Sequence, residues 1–320
     1  MRVKWNITAL RLRRIYDRTA IHNVNGAQFV DRKHCYLCNS AERTLEHETG
    51  TGVGELHLRW VRCGGCSLVY LDPRPSAHAL SVLYDSAGYW RGEQGYRDYL
   101  ADERWRGKQA VVRAKWLAGH LTEAYPEQAV KVLEVGSAAG YFLEALSGLG
   151  VGVEGLELST PMARLTDRKF SGRVKVRQGF VEDAAVDPQG YHGLAIWGCD
   201  SNFDNPRQTF ARFASWLRPG GLLAMNFHQH DHWARLLKGR FKMMPNALYF
   251  LNTDHVKRLL EDSGLEVVQM CTETQWMSLA SVYHHTGHNW LKPLLGTGLA
   301  TVPLRLPVLG SYRVLARKAR

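Results

Sequence analysis

Along the second half of the chain, short apolar runs rich in β-branched residues alternate with longer stretches whose apolar positions recur every three to four residues. The first run, Ala129-Val-Lys-Val-Leu-Glu-Val-Gly136, predicts a strand ending in a glycine turn. The pattern after it, with Phe142, Leu143, Leu146 and Leu149 on one face, predicts a helix. Further strands are predicted at Gly152–Leu156, Val174–Gln178, Tyr191–Trp197, Leu222–Phe227, Leu265–Gln269 and Tyr312–Ala316, and a helix over Asn205–Leu217 with Phe210, Phe213 and Leu217 turned inward. Strands that alternate with helices in this way predict an α/β fold with helices on both faces of the sheet. Nearer the N-terminus, Glu55-Leu-His-Leu-Arg-Trp-Val-Arg62 alternates with the period of two of a strand and stands between two pairs of cysteines.

With 320 residues, 45% hydrophobic and 22% charged, the chain has room for one large domain and a small one, and disordered, collagen-like and mucin-like classes are excluded. The formal net charge of +11 invites a polyanionic partner until it is located. Residues 1 to 34 carry eight basic residues and two acids, and Gln275 to Arg320 carry six basic residues and no acid, so the middle is close to neutral. No apolar run reaches the length of a membrane span, and the start, Met1-Arg-Val-Lys-Trp5, lacks the apolar core of a secretory signal, which predicts a cytoplasmic protein.

Four of the six cysteines form two C-x-x-C pairs, Cys35-Tyr-Leu-Cys38 and Cys63-Gly-Gly-Cys66. Two tight turns that each present two thiolates can build a closed tetrahedral site for structural Zn²⁺, and four sulfur ligands leave no open position for catalysis. Gly64 and Gly65 relieve the backbone of the second turn. A ribbon this small has too little core to stand alone, so the metal is expected to supply much of its folding free energy. A redox pair is the competing reading.

The turn Gly136-Ser-Ala-Ala-Gly140 follows a strand and opens a helix, which suits a nucleotide or nucleoside. The dinucleotide fingerprint is not met, because its third and sixth positions are Ala138 and Tyr141, so NAD is disfavoured. Glu157 ends the next strand, where an acid can accept both hydroxyls of a ribose; a solvated surface acid is the plainer alternative.

Glu134, Gly136 and Gly140 resemble the first motif of class I S-adenosylmethionine-dependent methyltransferases, with Ala138 in place of the middle glycine. Leu158-Ser-Thr-Pro-Met162, Gly179-Phe-Val-Glu-Asp183 and Leu217-Arg-Pro-Gly-Gly221 are similar to later landmarks of that family. The resemblance implies a Rossmann-like seven-stranded sheet whose last two strands form an antiparallel pair. It also implies a cofactor site of Glu134, Gly136, Ser137, Gly140, Glu157, Leu158, Phe180, Val181 and Trp197, with Phe180 and Val181 beside the adenine. The knuckles, then Leu68-Val-Tyr-Leu-Asp-Pro-Arg-Pro75, then a Tyr-rich stretch, resemble a bacterial group with an N-terminal zinc-binding domain, many of whose members methylate sugars or nucleotide-linked sugars. By that resemblance Tyr96 and Tyr99 close over the methionine end of the cofactor; packing in the core is the alternative.

Methyl transfer to a hydroxyl, or to a carbon beside a carbonyl, needs a base near the ends of the fourth and fifth strands. Relatives place histidines there, whereas this chain has Asn202 and Ala247. The nearest replacements are Asp200 and the histidines after the fifth strand; the expected base is His228, which stands closest to the strand end, with His230 and Asp200 behind it. The expected partner is a small-molecule acceptor, which the basic ends would suit if it is phosphorylated. An RNA methyltransferase is a second reading, disfavoured by the near-neutral middle, and a cofactor-binding protein without catalysis is a third, motivated by the absent histidines. The expected organisation is a basic segment (1–34), a zinc ribbon (35–80), a helical cap or linker (81–125) and the cofactor-binding core (126–320). An insertion at about 275–311 would cap the acceptor pocket, rest on a membrane surface or pack on the core.

Overall fold

The computed structural model describes residues 29–50, 57–91, 98–229, 231, 247–286, 293 and 302–320. In chain order its elements begin with β1 (Phe29–Val30), β2 (Arg43–Gly50), β3 (His57–Cys63), β4 (Val69–Leu71) and β5 (Arg74–Pro75). Three helices follow, which we label α1 (Ala77–Asp85), α2 (Ala87–Trp90) and α3 (Glu103–Ala124). Then come β6 (Lys131–Val135), α4 (Tyr141–Ser147), β7 (Gly152–Glu157), α5 (Thr160–Phe170), β8 (Lys175–Gln178), β9 (Tyr191–Ile196), α6 (Pro206–Trp216) and β10 (Leu217–His228). The chain closes with β11 (Tyr249–Phe250), α7 (Thr253–Glu261), β12 (Leu265–Ser278), α8 (Leu279–Thr286) and β13 (Pro303–Lys318).

The predicted α/β fold is present as a seven-stranded sheet in the order β12-β13-β10-β9-β6-β7-β8. Strands β8, β7, β6, β9 and β10 are parallel, and β13 is antiparallel to both β10 and β12. The centre of the sheet is apolar throughout: every residue of β9 is buried, as are the last four of β6. This continuous burial marks a sheet covered on both faces. Helix α3 turns Trp105, Ala110, Ala114, Leu117 and Leu121 inward at helical spacing.

Two local expectations change. Leu149 does not join the inward face of α4, because the helix ends at Ser147 with Gly148 as its cap and leaves Leu149 45% exposed. The last two strands are much longer than their apolar runs: they pair from Leu265↔Lys318 to Ser278↔Pro303, whereas β13 meets β10 only from Ser311 to Arg317. The hairpin therefore runs past the sheet into the segment read as an insertion. Backbone pairing carried it there, and a hydrophobic pattern does not record it.

A second sheet, in the order β11-β4-β3-β2, carries the cysteine turns. Its fourth strand comes from the core: Tyr249 and Phe250 pair antiparallel with Tyr70 and Val69. Among the described residues no helix is long and apolar enough to cross a membrane.

Candidate active site and metal centre

Strand order reverses beside β6, with β7 and β8 to one side and β9 and β10 to the other. At such a switch point the loops leave in opposite directions and open a crevice outside the carboxyl ends of the strands. A cleft of about 820 Å³, counted to its open mouth, lies there. Its core wall includes Val135, Gly136, Ala138, Glu157, Leu158, Phe180, Val181 and Trp197; its opposite wall includes Leu80, Tyr84, Tyr89, Trp90 and Tyr99.

The glycine turn is left-handed at three positions: Gly136 at φ +74°, Ala138 at φ +44° and Gly140 at φ +70°. A Cβ on Gly136 would lie 2.8 Å from Cys199 Sγ, and one on Gly140 would lie 2.6 Å from Thr166 Cγ2, so conformation and space both require glycine. Ala138 carries a side chain in the same unfavourable region, at a cost of roughly 1–2 kcal/mol. Its peptide is held at both ends: its N–H donates to Glu157 Oε2 at 2.6 Å, and its carbonyl accepts from Thr166 Oγ1 at 2.7 Å.

Glu157 is thus both a structural brace and a cleft residue. Its other oxygen accepts from Ser159 N–H at 2.8 Å, which leaves a second lone pair on each oxygen for hydroxyls presented from the cleft. Burial raises its pKa, and the amides of Ser159 and Ala138 work against that rise. Behind the turn, Glu134 is buried and its Oε2 has no hydrogen-bond partner; burial drives its pKa well up, opposed by the charge of Arg113. Trp197 Nε1 is likewise buried without a partner. The Trp197 ring packs edge-on against Phe142 and lies 4.4 Å from the Arg113 guanidinium, which Glu273 fixes with bonds of 2.8 and 2.6 Å.

The opposite wall is a chain of edge-packed rings: Tyr84 to Tyr89 at 4.7 Å, Tyr89 to Trp90 at 4.9 Å and Trp90 to Tyr99 at 5.0 Å. Hydrogen bonds to the backbone and to neighbouring side chains help to hold it in place. Trp90 Nε1–H donates to the Tyr84 carbonyl at 2.7 Å, Tyr99 N–H donates to the Trp90 carbonyl at 2.7 Å, Asn202 Nδ2–H donates to Tyr84 Oη at 2.5 Å, and Thr160 N–H donates to Asp85 Oδ1 at 2.8 Å.

Of the residues expected at the cofactor, Gly136, Glu157, Leu158, Phe180, Val181 and Trp197 line the cleft together. Glu134, Ser137 and Gly140 shape the turn instead, with Ser137 Oγ lying over Gly155, where a Cβ would come within 2.9 Å of it. Tyr96 and His230 lie outside the described residues. Asp200 is buried beside the cleft residue Cys199, and burial pushes its pKa up to about 7. His228 is the last residue of β10, exposed, and paired in register with Ser311. Sequence reasoning missed Asn202 and Phe203 as cleft residues. The Asn202–Tyr84 bond joins positions 118 residues apart, and no local pattern reports such a pair.

The four knuckle sulfurs lie within 4.8 Å of one another, with Cys35 to Cys66 at 3.5 Å and Cys38 to Cys63 at 3.4 Å. Leu37 N–H points at Cys35 Sγ and Gly65 N–H at Cys63 Sγ, at 3.4 and 3.3 Å, as suits thiolates. The hydrogen bond between Cys66 and Cys35 lowers the pKa of Cys35 and raises that of Cys66. Converging soft donors in two tight turns fit a tetrahedral metal such as Zn²⁺.

A sequence profile described as a methyltransferase domain matches residues 111–270. A ubiquinone biosynthesis O-methyltransferase of Saccharophagus degradans is 24% identical over 170 residues, covering 49% of this chain and 72% of that one. Among solved structures, one described under conversion of a disulfide bond into a thioacetal group during echinomycin biosynthesis is 17% identical, with a TM-score of 0.50 over 75% of this chain and 93% of its own. A Methanosarcina mazei protein described among S-adenosylmethionine-dependent methyltransferases is 11% identical, with a TM-score of 0.44 over 62% of this chain and 96% of its own. At 17% identity the likeness to the first of these structures is one of fold.

Proposed function

Since the chain belongs to the methyltransferase domain family and is an S-adenosylmethionine-dependent methyltransferase, we propose that it methylates a hydroxyl of a small acceptor, a sugar or nucleotide-linked sugar, and that its four knuckle cysteines hold a structural Zn²⁺. The observation that carries the cofactor assignment is Glu157, a buried carboxylate on the cleft wall whose two oxygens each retain a lone pair. The unpartnered Trp197 Nε1 on the same wall and the cramped glycine turn support it. The O-methyltransferase named above supports an oxygen acceptor, and the knuckle sheet followed by Leu68–Pro75 supports a sugar by resemblance.

When bound, the cofactor supplies a methyl group activated by a sulfonium. The chain's own residues then have three tasks. Glu157 receives hydroxyls and holds the glycine turn through Ala138, and Phe180 and Val181 offer an apolar surface to a flat ring. The ring chain Tyr84-Tyr89-Trp90-Tyr99 excludes water from the cleft, and much of the rate enhancement in such a displacement comes from alignment and water exclusion. Asp200, with a pKa near 7, takes the acceptor proton, and His228 at the end of β10 is the alternative base.

The test is incubation with S-adenosylmethionine and a panel of nucleotide sugars, read by mass spectrometry for the gain of one CH₂ unit, with zinc content measured on the same preparation. Methylated sugar and one zinc per chain are expected. Cofactor binding without any methylated sugar would sink the acceptor assignment, and a metal-free preparation would sink the zinc assignment.

A further inference from the structure

The knuckle sheet and the cofactor cleft share one short segment, Leu248 to His255. At its start, Leu248 N–H donates to the Ser201 carbonyl at 2.8 Å, and Leu71 N–H donates to the Leu248 carbonyl at 2.9 Å, so a single residue is bonded to both regions. Tyr249 is fully buried. Its ring packs 5.1 Å from Tyr36, inside the first cysteine turn, and its hydroxyl donates to the Asp200 carbonyl at 3.1 Å. Two residues after Asp200, Asn202 lines the cleft and binds Tyr84 of the opposite wall.

At the other end of the segment stands His255. It is buried, and its Nδ1 accepts from Asn252 N–H at 3.2 Å within a capping box at the start of α7. An imidazole that accepts at Nδ1 carries its proton on Nε2. Nε2 lies 2.7 Å from the carbonyl oxygen of Cys66, so the ring donates there. The bond crosses 189 residues and fixes the backbone of a cysteine in the second knuckle. A knuckle closed only by its own turns would not need a clamp from the core.

The geometry points to His255 as a positioning residue for the four-thiolate centre, and to segment 248–255 as a link through which metal binding and cofactor binding favour each other. Holding the Cys66 carbonyl fixes the turn that aims its sulfur at the other three. An ordered knuckle in turn holds Leu248 and Tyr249 against Ser201 and Asp200, beside Asn202 and Tyr84. Coupling of this kind is reciprocal: whatever the metal adds to cofactor affinity, the cofactor adds to metal affinity. The inference rests on the reading that the cysteines hold Zn²⁺.

The experiment uses the full chain and reads zinc, not turnover. Zinc content is measured first. Release to a chromophoric chelator is then followed with and without S-adenosylhomocysteine, in the wild type, His255→Ala, His255→Gln and Asn252→Ala. Groups that orient metal ligands are worth about 10–100-fold in metal affinity, so His255→Ala is expected to release zinc at least about 10-fold faster. His255→Gln, whose amide can donate to the same carbonyl, is expected to recover part of the loss. S-adenosylhomocysteine is expected to slow release about 5-fold or more in the wild type and to lose that effect in His255→Ala. Asn252→Ala removes the helix cap but keeps the ring, and is expected to stay near the wild-type rate. A zinc-loaded His255→Ala that releases metal at the wild-type rate overturns the inference, as does an Asn252→Ala matching His255→Ala, which would assign the effect to the cap. An unchanged rate with S-adenosylhomocysteine in the wild type overturns the coupling. A chain that purifies without zinc removes the underlying reading as well, and that result is distinct from all the others.

Discussion

The cleft beside β6 and the cysteine centre are both built on tight turns, yet they leave opposite things undone. In the cleft the turn stores strain at Ala138 and is walled by groups lacking a protein partner, such as Trp197 Nε1. Its mouth is open, as suits a ligand that enters and leaves at every cycle. At the cysteines the donors converge on one point, amides already face two of the sulfurs, and the surrounding sheet takes its fourth strand from the core. Such a site is closed, which suits a metal that stays. Burial costs around the turn are met in part by bonds to the fold, as at Glu157, and left standing in part behind it, as at Glu134.

Metal removal is expected to separate the two regions most sharply. With Zn²⁺ on the four cysteines, as proposed, a strong chelator should strip exchange protection from β3 and β4 and leave β6 and β9 protected, because a small metal-bound sheet depends on the metal for several kcal/mol whereas β6 and β9 are buried in a large core. Loss of protection in β6 at the same rate would show that the two regions melt as one.

Next in size is Gly136→Val. A branched side chain at φ +74°, with Cys199 Sγ 2.8 Å from its Cβ, should destabilise the fold by about 3 kcal/mol. Because Gly136 also lines the cleft, cofactor affinity should fall at least about 10-fold, a loss of about 1.4 kcal/mol of binding free energy. Calorimetric binding alongside a thermal melt checks both, and unchanged affinity would detach the turn from the cofactor.

Asp200→Asn tests the base and its burial together. The unfolded chain loses the Asp200 proton near 3.8, whereas the native protein keeps it to about 7. Wild-type stability from this group is therefore intact below 3.8 and falls as pH rises through 7. The neutral variant has no such penalty, so its stability relative to wild type should rise between pH 4 and 7 and then level off, by at most about 4 kcal/mol for a shift of about three units. If Asp200 takes the acceptor proton, wild-type kcat rises with pH to a plateau above about 7, and the variant loses that rise. A pH-independent stability difference would contradict the burial argument.

The smallest effect expected is a gain. Ala138→Gly relieves a left-handed alanine at the cost of extra chain entropy, and should stabilise the protein by roughly 0.5 kcal/mol. A melt that moves downward would mean that the methyl group itself packs productively against the cleft.

Much of this was legible in the linear order of residues. Strand, turn and helix around Gly136 and the acid at Glu157 follow from local periodicity and spacing, because a parallel sheet repeats one short unit whose apolar run, turn and helix are contiguous; Phe180 and Val181, which line the cleft, follow only from the family resemblance. The paired cysteines are equally local, since each C-x-x-C turn presents its own two sulfurs. What lay beyond that reading is long-range: the Asn202–Tyr84 bond, the extension of β12 and β13 by mutual pairing, the φ of Ala138 set by Glu157 and Thr166, and the strand that β11 adds to the knuckle sheet. Each depends on a hydrogen bond or contact between segments whose separation along the chain carries no periodic signal. Residue order thus specifies the parts and their chemistry, whereas folding chooses which buried polar groups meet a partner and which are left facing a ligand.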